Sequence, residues 1–195
     1  MSAELPILGL FVGGRGRRMG GAHKALLVAP DTQETLAGKL ARLAREAALP
    51  VVLVGAGESL GSDLEALLRL LDEPAGVGPL GGLAALLQHA GGRPVICVAC
   101  DMPFVTRDLL EKLAAHPSQA PVLAPRDSQT RKWQPLFARY EPAGVQPALH
   151  AALHAGERSF QALLARLPVE ELQLTAVEHA ALRDWDTPED VRGTS

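Results

Sequence analysis

Three stretches of this chain leave little choice of architecture. "LPILGLFV" (5–12), "PVVLVG" (50–55) and "PVICVACD" (94–101) are almost unbroken apolar runs, too short to be ordinary helices. A strand with one wet face alternates polar and apolar residues. A strand without alternation is covered on both faces, which is the condition of a parallel sheet between helical layers.

Between these runs the pattern changes to helical spacing. At about 34–48, Leu36, Leu40, Leu43 and Ala47 recur every three or four residues, with Arg and Lys expected on the other face. "SDLEALLRLLD" (62–72) reads as a short helix passing into a strand that ends at Asp72. "GPLGGLAALLQHAG" (78–91) is a helix opened by Gly-Pro and closed by glycine. In "TRDLLEKLAAH" (106–116), Thr106 suits the N-cap and Asp108 the first turn. "APVLAP" (120–125) is a further strand; in "WQPLFARY" (133–140), Pro135 suggests an edge strand or a bend. Helices at about 142–154 and 159–166 precede "EELQL" and the closing "LRDWDTPEDV". This alternation makes the class α/β with a mainly parallel sheet, expected as a three-layer α/β/α single domain over residues 1–195.

Composition narrows the function classes. A formal net charge of −3 provides no overall basic field for nucleic acid or an anionic membrane. No run approaches a spanning helix, and the N-terminus lacks the charged lead of a signal peptide, so a cytoplasmic location is the expectation. Two cysteines make no disulfide framework. Cys97 and Cys100, three apart on a strand, point to opposite faces and read as core. His150 and His154 have metal-ligand spacing on a helix, but a solvated face is the better reading.

Ligands of such sheets bind beyond the carboxyl ends of the strands. Three features fall there. The first is "GGRGRRMGGAHK" (13–24), whose glycines can turn successive N–H groups into an anion nest while Arg15, Arg17, Arg18 and Lys24 add positive charge. It is neither a P-loop, since Lys24 is followed by Ala25, nor a dinucleotide fingerprint, since Met19 stands at the third glycine position. The second is Asp101 in "CDMPFV", an acid after an apolar strand, costly to bury unless a cation pairs with it. Mg²⁺ bridged to phosphates is one such cation; a simple turn aspartate is the alternative. The third is Asp72, with a weaker case, because Glu73 and the following glycines suggest an exposed loop.

Taken together these pieces resemble the molybdenum cofactor guanylyltransferases, within the wider nucleotidyltransferase fold. The matching segments are "GGRGRRMGGAHKALL", "DEPAGVGPLGGL", "CDMPFV", "WQPLFARY", "AGERSF" and "WDTPEDV". The resemblance implies a Rossmann-like sheet of the nucleotide-diphospho-sugar transferase type. It implies transfer of GMP from GTP to the terminal phosphate of molybdopterin, with Mg²⁺ as cofactor and pyrophosphate as the second product. Molybdenum-insertion or molybdoenzyme-maturation proteins would be the partners.

Carried over by position, Gly13, Gly14 and Arg18 would lie on the nucleotide and Lys24 on its phosphates. Asp72 would help hold the guanine nucleoside, Asp101 would bind Mg²⁺, and Arg158 would face the molybdopterin. Two departures stand out: "FVGG" replaces the usual L-A-G-G, and Asp184-Trp185-Asp186 replaces N-x-N before Thr-Pro. The acidic ending resembles the cytidylyltransferases acting on molybdopterin and would either offer a second carboxylate, Asp186, to the metal or change the acceptor contacts. Gly14 favours guanine, since the cytidine relatives resemble L-A-A-G. The alternatives are therefore CTP with molybdopterin, a sugar 1-phosphate acceptor, or a nucleotide-binding module without catalysis.

Overall fold

The computed structural model describes residues 4–13, 24–55, 60–185 and 190. Gly14, Arg15, Arg17, Arg18 and Asp186 lie outside the described residues.

Seven strands form one sheet: β1 (Ile7–Phe11), β2 (Val51–Val54), β3 (Arg69–Leu70), β4 (Val95–Ala99), β5 (Val122–Ala124), β6 (Phe137–Tyr140) and β7 (Val169–Glu171). Their order is β3-β2-β1-β4-β6-β5-β7. The ladders are parallel, except that β6 runs antiparallel to both β4 and β5.

The central strands are apolar throughout because both faces are covered. Leu8, Leu10 and Val12 join one core cluster with Leu40, Leu109 and Leu113. Ile7 and Phe11 join the other with Leu83, Leu86, Val145 and Leu149. Helices α1 (Leu36–Glu46) and α4 (Arg107–Ala115) thus cover one face, with short α2 (Ser62–Glu65) beside them. Helices α3 (Pro79–Ala90), α5 (Pro142–His154) and α6 (Phe160–Leu164) cover the other. The expected α/β/α layering is what forms. Cys100 belongs to the first cluster and Cys97 to the second, both buried and free, as their spacing on a strand requires. Among the described residues no helix is long and apolar enough to cross a membrane.

Thr35 and Thr106 cap α1 and α4, each accepting a backbone N–H three residues ahead. Three sequence expectations need correction, and one element is new. β6 is an interior strand, not an edge: it begins at Phe137, after Pro135, so the missing N–H falls outside the ladder. β3 ends at Leu70, two residues short of Asp72. The new element is helix α7 (Ala176–Ala181), started by a Thr175/Glu178 capping box that is legible in the sequence. Finally, Lys39 is not on the wet face of α1 but buried within its apolar stripe.

Candidate functional site

The carboxyl edge of the parallel strands gathers the polar residues that the sequence marks. Strand β1 leaves the sheet with Val12 N donating to the Val54 carbonyl at 3.0 Å, and exposed Gly13 follows. Here the chain presses against the end of β2. Gly55 has φ +106°, and a Cβ on it would lie 3.0 Å from the backbone of Gly13. A side chain at 55 would be strained and would push on the loop exit.

The chain resumes in a short 3₁₀ turn, Lys24–Leu26. Ala25 is fully buried in the first core cluster and Leu27 N donates to the Lys24 carbonyl at 3.1 Å. That anchoring fixes the base of the Lys24 side chain. Its ammonium donates to Asp101 Oδ2 at 2.8 Å, with side-chain exposures of 14 % and 19 %. Two residues 77 apart in sequence therefore form a largely enclosed ion pair. Asp101 does lie in a turn, but its carboxylate is paired and largely enclosed.

The segment carrying Asp101 is held from several directions. Cys100 N continues the β1 ladder by donating to the Phe11 carbonyl at 3.1 Å. Met102 and Val105 are buried. Trp185 N donates to the Asp101 carbonyl at 2.9 Å, and the Trp185 indole, only 3 % exposed, meets Phe104 edge to face. Thus Trp185 docks directly on the Asp101 segment. Burial, and secondarily the charge of Asp101, pushes the Cys100 thiol up to about 12, so it stays protonated and unreactive.

Asp72 lies beyond β3, separated from the β4 end by three interstrand steps, about 14 Å. It is half-buried, not fully exposed, and burial raises its pKa. Its Oδ1 stands 3.4 Å from the position a Cβ would take on Gly82, over the first turn of α3. The "GPLGG" glycines have a packing reason. A Cβ on Gly81 would lie 2.7 Å from the Pro74 carbonyl oxygen, and one on Gly82 would lie 2.7 Å from Val54 and 2.9 Å from Phe11. Glu73 N also donates to the Gly81 carbonyl at 3.1 Å, tying the Asp72 loop to the helix. Gly81→Ala should therefore destabilise the fold by about 1–2 kcal/mol in urea unfolding. Overpacking against backbone costs about 1–3 kcal/mol, more than the helix gains, about 0.5–1 kcal/mol, on losing a glycine. Stability equal to wild type would show that the loop yields freely.

Arg158 is exposed on the loop after α5, and its carbonyl lies 3.9 Å from the Cβ position of Gly78, so this loop borders the head of α3. His150 and His154 are exposed, and among the described residues no three His, Cys, Asp or Glu side chains gather as a metal cage. Gly13, Lys24, Asp72 and Asp101 thus share one edge, with Arg158 bordering it. Arg18, Gly14 and Asp186 lie outside the described residues. Sequence reasoning did not single out Trp185 or Lys39. The second carried a signal, a lysine at i+3 from Leu36 on the apolar stripe.

Several known proteins are similar to this chain. The family model of the MobA-like NTP transferase domain matches residues 10–172. A Pseudomonas putida (strain GB-1) protein named molybdenum cofactor guanylyltransferase is 34 % identical, the alignment covering 94 % of each chain. One of the same name from Pseudomonas entomophila is also 34 % identical over 97 % of this chain and 98 % of its own. Among solved structures, molybdopterin-guanine dinucleotide biosynthesis protein A from Archaeoglobus fulgidus superposes with a TM-score of 0.76 at 25 % identity, covering 96 % of this chain and 95 % of that one.

Proposed function

Because this chain belongs to the MobA-like NTP transferase family, we propose that it transfers GMP from GTP to the terminal phosphate of molybdopterin. An oxygen of that phosphate attacks the α-phosphorus of GTP, the bond to the β-phosphate oxygen breaks, and pyrophosphate leaves. The attacking oxygen is already ionised near neutral pH, since a phosphate monoester has its second pKa at about 6. No side chain has to remove a proton, and the work left to the protein is positioning and charge neutralisation.

The observation that supports this reading is the Lys24–Asp101 pair at 2.8 Å on the carboxyl edge. It joins a cation suited to phosphate oxygens with a hard carboxylate suited to Mg²⁺. The donor set fits Mg²⁺, which commonly takes one or two carboxylates and fills its shell with substrate oxygens and water. Asp101 would hold it, with Asp186 as a second carboxylate. When bound, Mg²⁺ would offset the negative charge that builds on the phosphates. Lys24 neutralises phosphate charge from the β1 side, joined by Arg18, with Gly13 and Gly14 bringing backbone N–H groups to the nucleotide. Asp72 holds the guanine nucleoside at the β3 side, and Arg158 faces the molybdopterin. Its partners would be proteins of molybdenum insertion or molybdoenzyme maturation, in the cytoplasm.

The test is a nucleotide panel. GTP with Mg²⁺ should raise the thermal midpoint more than CTP or UTP, and molybdopterin with GTP should release pyrophosphate. Preference for CTP would move the chain to cytidylyl transfer. Nucleotide binding without pyrophosphate release would make it a binding module.

A further inference from the structure

Helix α1 presents Leu36, Leu40 and Leu43 to the core, and Lys39 shares that side, with 5 % of its surface exposed. An ammonium is unfavourable in such a place unless its three protons are all used. They are. Lys39 donates to Asp31 Oδ1 at 2.8 Å and Oδ2 at 2.7 Å, and to the Pro103 carbonyl at 2.7 Å. Asp31 precedes α1 and is itself 60 % exposed at the side chain, so the ion pair reaches from solvent into the core. A leucine at 39 would complete the stripe of α1 without any charge to bury. What no apolar side chain can do is grip Pro103.

Pro103 lies two residues beyond Asp101, in a segment that is neither strand nor helix between Ala99 and Arg107. Such a segment takes its position from outside bonds. On one side Cys100 N bonds to Phe11, and on another Trp185 N bonds to the Asp101 carbonyl. Lys39 supplies the grip beyond the carboxylate, from a helix packed on the sheet. We propose that Lys39, oriented by Asp31, is a positioning residue: it fixes the 101–103 turn and so places the Asp101 carboxylate against Lys24. It acts through the Pro103 carbonyl and touches no substrate. This rests on the nucleotidyl-transfer reading of the edge.

The experiment compares wild type, Lys39→Met, Lys39→Arg and Asp31→Asn as full chains, by steady-state kinetics and by amide hydrogen exchange without nucleotide. Wild type comes first: if it releases no pyrophosphate from GTP with molybdopterin, the functional reading fails, and the exchange data still decide the positioning. Lys39→Met should lower kcat about 10- to 100-fold with KM for GTP within about twofold, because a displaced Asp101 weakens stabilisation of charge in the transition state. Its Cys100 and Trp185 amides should exchange about tenfold faster while Leu53 in β2 is unchanged. Lys39→Arg, which keeps charge and donors, should recover most of the rate.

Asp31→Asn, altering an exposed carboxylate, keeps the test alive if Lys39→Met does not fold; it should lower kcat about threefold at constant KM. Unchanged kcat in folded Lys39→Met or in Asp31→Asn overturns the proposal. So does uniformly faster exchange across β2 and the 100–105 segment, which would mark an ion pair serving stability alone.

Discussion

Asp101→Ala should lower turnover about 10³-fold while the sheet stays folded. Removing one preorganised group aimed at developing charge commonly costs 10²–10³-fold, and Asp101 is also the residue proposed to hold the metal. The fold survives because Asp101 lies beyond β4, with its segment still anchored by Met102, Val105 and the Cys100 ladder bond. The expected loss in unfolding free energy is about 1–3 kcal/mol, within a typical domain stability of about 5–15 kcal/mol. Asp101→Asn separates charge from shape: it should be nearly as inactive and closer to wild type in stability. Steady-state pyrophosphate release and urea melts on the same preparations check both parts. A wild-type rate in either variant removes Asp101 from the chemistry.

Arg139→Met should be the most damaging change away from that edge, at about 3–5 kcal/mol. Arg139 sits in β6 with 6 % exposure, yet its donors are well used. Nη1 donates to the carbonyls of Leu113 (3.2 Å), Ala114 (3.2 Å) and His116 (2.7 Å), and Nη2 to that of Ser118 (3.1 Å). Glu141 Oε1 lies 3.3 Å from Nε and balances the charge. The last carbonyls of any helix lack partners within it, and α4 ends in an extended residue, His116, with no glycine turn to satisfy them. The strand therefore caps the helix. Methionine keeps much of the apolar stem but leaves these acceptors without a donor, each buried one costing about 1–3 kcal/mol before water enters. Urea unfolding measures the loss; a change under about 1 kcal/mol would mean water replaces the guanidinium. Turnover of the remaining folded protein should match wild type. Arg139 pairs with Ile96 near the start of β4, at the opposite edge from Asp101.

These two residues mark where sequence reading is strong and where it stops. Asp101 is visible in the sequence because an acid directly after an apolar run is anomalous within one short window. Arg139 gives no such warning, since its carbonyl partners lie 21–26 residues earlier in sequence. β6 shows the same limit: "LFARY" reads as a strand, but whether it lies inside the sheet or at its edge depends on where β4 and β5 leave room.

The sequence by itself determined the elements whose cause is local. Unbroken apolar runs demanded two covered faces, threonines ahead of helices supplied their caps, and the Gly-Pro before α3 marked its start. The tertiary structure alone decided the pairings. It brought Lys24 to Asp101 across 77 positions and Lys39 to Pro103 across 64, and it set Trp185 on the Asp101 carbonyl. The physical reason is range. Dihedral preference, capping and hydrophobic period act within a few residues, whereas a buried charge is satisfied by whichever segment the packed sheet carries alongside it.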